Sequence, residues 1–149
     1  MGSDLDKVEK LFCGKWKYDR DDNFKESLKY IGFPEMEVEF LTNAKPCLEI
    51  KRDGDHLIID YEIMPGMVHS VRFKLGEEFV SKDMKNDPPT FDAKELVTFK
   101  DGCLDFKNWS NMGGAYYQTV MKIENGELHG VMSKIDDNSV TGDRIYKKV

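Results

Sequence analysis

Read for the alternation of apolar and polar positions, the chain divides into short segments rich in Val, Ile, Tyr, Phe and Thr, each bounded by a turn signal. Such signals stand at Asp53-Gly54, Pro65-Gly66, Asp101-Gly102, residues 111–114, Asn125-Gly126 and residues 136–139. Between them the pattern predicts strands at 14–20, 47–52, 56–63, 68–74, 77–82, 93–100, 103–109, 115–123, 127–134 and 139–149. Helical periodicity is confined to the first third. Asp22-Asn23 offers a cap, Phe24, Leu28 and Ile31 recur on one helical face, and Gly32 stops the run. Pro34 then opens a second short helix with Met36, Phe40 and Leu41 as its apolar face. Val8, Leu11 and Phe12 also have helical spacing, which suits a short lead-in helix over one end of the strands.

Ten antiparallel strands joined by tight turns leave long bare edges unless they close on themselves. The expectation is an all-β fold: a ten-stranded antiparallel up-and-down β-barrel, or β-clam, with a helix-turn-helix cap between its first two strands. Residues 1–11 form an N-terminal extension and 12–149 one barrel domain. A closed barrel of more than eight strands is too wide for its own side chains to fill, so a cavity for one small molecule is expected. Lys51, Arg52, Asp60, Glu62, Arg72, Gln118 and Arg144 interrupt the apolar positions, a pattern that a hydrated cavity tolerates better than a solid core.

Charge narrows the partners. Asp and Glu number 28 against 22 Lys and Arg, so the field repels phosphate and offers no basic footprint for nucleic acid. The first eleven residues are studded with charge and lack the apolar stretch of a secretory signal, and no run approaches the ~18 apolar residues of a spanning helix. These features predict a cytoplasmic protein, monomeric, with at most transient membrane contact. Cys13, Cys47 and Cys103 are odd in number and far apart, which suits reduced thiols. His56, His69 and His129 fall in separate strands without HExxH spacing, and there is no GxSxG elbow or phosphate-cradling glycine loop. No catalytic residue, metal site or cofactor is expected.

The order of several short motifs resembles the intracellular lipid-binding proteins, the family of cytosolic fatty-acid-binding and cellular retinoid-binding proteins. The matching segments are Phe12-Cys13-Gly14-Lys15-Trp16-Lys17, Asp22-Asn23-Phe24, 28–33, Ala44-Lys45-Pro46, Asp53-Gly54-Asp55, the FKLGEEF run at 73–79, and Arg144-Ile145-Tyr146. The resemblance implies binding and transport of a long-chain fatty acid or similar hydrophobic carboxylate. In a strand Arg144 and Tyr146 share a face. Spacing alone leaves that face inward or outward; the resemblance places it inward, where a planar cationic fork and one O–H donor would hold a carboxylate.

Many relatives carry a second inward arginine five residues before the turn glycine of a late hairpin. Counting back from Gly126 puts Met121 there, with Gln118 able to serve only if the strand shifts register. The methionines at 64 and 67 suit a flexible entry turn, making Met64 a further ligand contact. Trp16 and the aromatics of FKLGEEF are read as structural. A secreted lipocalin-type carrier, which shares Gly14-Lys15-Trp16, and a small barrel enzyme acting on a lipid are the alternatives.

Overall fold

The computed structural model describes residues 3–82, 92–110 and 116–149; the predicted turn at 111–114 and the Pro88-Pro89 pair lie outside them. The chain runs α1 (Asp4–Phe12), β1 (Gly14–Asp22), α2 (Phe24–Ile31), α3 (Glu35–Asn43), β2 (Cys47–Asp53), β3 (His56–Met64) and β4 (Met67–Phe73). It continues with β5 (Phe79–Lys82), β6 (Asp92–Lys100), β7 (Cys103–Ser110), β8 (Tyr116–Glu124), β9 (Glu127–Lys134) and β10 (Asp137–Lys148). All strands join one up-and-down antiparallel sheet in the order β4-β3-β2-β1-β10-β9-β8-β7-β6-β5, with α2 and α3 between β1 and β2 as expected.

The expected closure is not present. β4 and β5 lie at the two ends of the sheet, and no ladder joins them among the described residues. The cause is the 74–78 connection. Gly76, at φ +78°, sends its N–H to the Val97 carbonyl at 2.8 Å, tying the connection to β6 instead of into a hairpin. At the start of the gap Phe73 stacks on Phe79 at 5.6 Å and meets Phe106 edge-on at 5.7 Å.

Three helices are present, the lead-in helix suggested by Val8, Leu11 and Phe12 among them. α1 is closed at its start by a capping box, with Asp6 N–H donating to Ser3 Oγ and Ser3 N–H to Asp6 Oδ2. Its Val8 and Phe12 are fully buried in the main core beside Trp16, Leu48 and Ile50. Trp16 Nε1 donates to the Phe12 carbonyl at 2.8 Å, so the tryptophan closes this end together with α1. Arg52 reaches α1 at Asp6 and Glu9, at 2.6 and 3.3 Å.

The remaining helices correct two details. Asn23 is the N-cap of α2, but its amide donates to the Thr141 carbonyl at 2.9 Å and not to the helix, fastening α2 to β10. In α3 the buried residue is Val38, with Leu41 packed beside it; Met36 is 85% exposed and Phe40 also faces outward. The interrupting polar residues divide likewise. Register places Lys51, Asp60, Glu62 and Arg72 on the outer face, where Lys51 pairs with Asp60 at 2.7 Å and Arg72 with Asp53 at 2.7 Å. Strict period-two alternation, not a hydrated interior, accounts for them.

Candidate functional site

On the concave face the cross-strand partners form rows. One runs Tyr18, Tyr146, Leu128, Ile123; the next runs Asp21, Arg144, Gly130, Met121, Leu104, Phe99. Period two along β1 would put Arg20 in line with Trp16 and Tyr18. A bulge prevents this: Tyr18 pairs with Tyr146 but Arg20 pairs with Ile145, leaving Asp19 as the extra residue. After the bulge Asp21 faces inward against Arg144, while Arg20 faces out to Glu127 at 3.0 Å. The bulge thus replaces a pair of inward cations with an inward ion pair.

Arg144 is 6% exposed. Its Nε and Nη2 donate to the two Asp21 carboxylate oxygens at 2.8 and 3.1 Å, and Nη2 also reaches the Thr42 carbonyl at 3.4 Å. The guanidinium lies over the rings of Phe24 at 4.1 Å and Tyr18 at 4.9 Å. α2 therefore forms a lid over the cation. Tyr146 is buried and meets Tyr18 edge-on at 6.3 Å; burial pushes its phenol above the ordinary range, which keeps it a neutral O–H donor.

Arg144 and Tyr146 are thus brought together on the inner face. Met121 lies in the Arg144 row, buried in the apolar core. Gln118 does not join them: it pairs with Lys107 and Ser133 on the opposite face, beside Asp105. The strand keeps its regular register here, so the shift needed to turn Gln118 inward does not occur. Met64 pairs with Met67 in the β3–β4 hairpin, and its side chain lies outside the described residues.

Sequence reasoning missed a second polar group on the same face. Phe79, Glu95, Asn108 and Tyr117 form one row across β5 to β8. Tyr61 and His69, paired across β3 and β4, face it from the other wall, stacked at 6.5 Å. Burial raises both the Tyr61 and Tyr117 phenols, with the Glu95 carboxylate adding to each, while burial lowers His69. Yet Tyr61, Tyr117, Phe106 and Glu95 are only half-buried, as are Phe79 and Phe99. Period-two spacing from Val97 could have found Glu95, and the same spacing from Leu104 and Phe106 could have found Asn108. Two clefts open beside this face, one of ≈ 410 Å³ between α1 and the β6–β7 turn that Phe99 lines, the other at the 74–78 connection that Phe73 and Phe79 line. Among the described residues no helix is long and apolar enough to cross a membrane.

An antiparallel meander interrupted by a helical hairpin after its first strand, with an arginine and a tyrosine inward on its last, defines a class. No family model matches the chain. It is 32% identical over 119 residues to fatty acid-binding protein homolog 7 of Caenorhabditis elegans, covering 78% of this chain and 82% of that protein. It is 32% identical over 93 residues to cellular retinoic acid-binding protein 2 of Mus musculus, covering 61% and 64%. The solved structure of the fluorescent protein UnaG superposes with a TM-score of 0.76 at 29% identity, over 95% of this chain and 99% of that one. The chain belongs to the intracellular lipid-binding protein family.

Proposed function

We propose that the chain is a cytoplasmic carrier that binds one long-chain fatty acid, or a similar hydrophobic carboxylate, in the hollow of its sheet. The observation that carries this reading is the buried Arg144 beside Tyr146 on an inward face whose neighbouring aromatics are only partly covered. Relatives named for binding fatty acid and retinoic acid support it and favour a binding protein over an enzyme. In this reading the Phe73–Phe79 stack bridges the start of the gap between β4 and β5, and α1 closes the Trp16 end.

Of the five N–H donors of Arg144, three contacts go to Asp21 and Thr42. The two on Nη1, with the Tyr146 O–H, supply the head-group donors. A ligand carboxylate must share its cation with Asp21. Affinity therefore rests mostly on burial of the alkyl chain, at ~0.8 kcal/mol per methylene. Met121 lines the apolar wall, Met64 the entry turn, and Gln118 takes no part. Charge-assisted hydrogen bonds of ~1.5–3 kcal/mol make oleate bind roughly tenfold to a hundredfold more tightly than methyl oleate. Calorimetric titration tests this, with saturation near one equivalent expected; no saturable binding of any apolar acid would sink the carrier reading.

A further inference from the structure

The row Phe79, Glu95, Asn108, Tyr117 lies at a distance from the head-group donors. Phe99 stands in the Arg144 row, and Glu95 is four residues from it along β6, roughly 13 Å at strand rise. This second polar group sits toward the helical cap, where Tyr117 packs on Phe33 at 5.3 Å. Its chemistry is the reverse of the first: an inward carboxylate replaces the inward guanidinium.

Asn108 gives an independent sign that something is received here. It is 6% exposed, faces inward by register between Glu95 and Tyr117, and its Oδ1 is buried without a hydrogen-bond partner. A buried acceptor left unpaired is costly, and a ligand donor removes the cost. Glu95 beside it is also acceptor-only when ionised, whereas the Tyr61 and Tyr117 phenols can donate. A site offering acceptors and donors together fits a hydroxyl, which both gives and takes a hydrogen bond. It disfavours a second carboxylate, which Glu95 would repel.

Building on the carrier reading, we infer that the cargo is a long-chain acid carrying a hydroxyl far from its carboxylate, the hydroxyl being held by Glu95 and Asn108. The remote hydroxyl donates to these acceptors and accepts from a facing phenol, while Arg144 and Tyr146 hold the carboxylate.

Calorimetric titration of the full chain with palmitate, ω-hydroxypalmitate and hexadecanedioate tests this. ω-Hydroxypalmitate should bind about tenfold more tightly than palmitate, the factor one net hydrogen bond gives, and hexadecanedioate more weakly than ω-hydroxypalmitate. Glu95→Gln and Asn108→Leu should each erase most of the hydroxyl preference, read as the ratio of the two affinities, with a cooperative melt of the unliganded variant reporting an intact fold. Equal binding of palmitate and ω-hydroxypalmitate by the parent chain overturns this inference and leaves the carrier reading standing. Persistence of the preference in both variants overturns the assignment to Glu95 and Asn108. If none of the three acids binds saturably, the carrier reading falls and takes this one with it.

Discussion

Asp21 is the most informative residue to change, because it both satisfies Arg144 and competes with any ligand carboxylate for it. Asp21→Asn keeps the shape and removes the charge. Breaking a buried ion pair typically costs ~3–5 kcal/mol, since the remaining charge is left uncompensated. Here the Arg144 side chain is 8% exposed and that of Asp21 is 20%, which places the loss near the lower end, about 3 kcal/mol. For a chain of this length each kcal/mol moves the melting temperature by ~2–4 °C, so the unliganded variant should melt about 6–12 °C lower. Calorimetric titration then supplies the discriminating measurement. With Asp21 neutral, the oleate carboxylate becomes the only anion paired with the buried guanidinium, and the preference for oleate over methyl oleate should widen by a further factor of about ten. A variant that melts lower but keeps the parent ratio would refute the competition, leaving the pair purely structural. An unchanged melting temperature would refute the energetic reasoning itself.

Gly142→Ala should loosen the helical cap. A Cβ there would lie 2.7 Å from Phe24 Cα and 2.8 Å from the Asn23 carbonyl oxygen, backbone that moves only if α2 lifts. A loss of ~1–3 kcal/mol in urea unfolding is expected, with faster amide exchange in α2; a parent-like midpoint would show that α2 is not held this tightly. At acid pH, α1 should undock early. Hydrogen bonding to Arg52 holds the Asp6 carboxyl below its ordinary 3.8, so its contribution is complete above that value and is lost as pH falls through the lower folded one. Arg52→Gln should move this loss, followed by tryptophan emission, to higher pH; an unmoved midpoint would dissociate the pair from docking.

The order of strands and the place of the helical hairpin were legible because they depend on local signals. Gly32 ends α2 at φ +106°, donating its N–H to the carbonyls of Leu28 and Lys29, and the strand β9 matches its predicted limits. The shared face of Arg144 and Tyr146 was legible for the same reason, since period two is a property of one strand. The sequence also placed Met121 in the register of that face, whereas Gln118, kept as a candidate contact, stands on the other one.

What no local signal carried was set by contacts between distant segments. Whether the sheet closes depends on where Gly76 finds its acceptor, and that acceptor is Val97 on another strand. The partner of Arg144 depends on a bulge at Asp19, which reverses the alternation of β1 and turns Asp21 inward. Exposed Met36 and buried Val38 in α3 follow from the surface against which that helix packs, not from its own spacing. The row of Glu95, Asn108 and Tyr117 exists only once β6, β7 and β8 stand side by side. The sequence by itself determined the elements, their order and the chemistry available on each face. The tertiary structure alone decided which of those faces meet, because a hydrogen-bond register or an ion pair between residues a hundred apart is stabilised only after the intervening chain has folded.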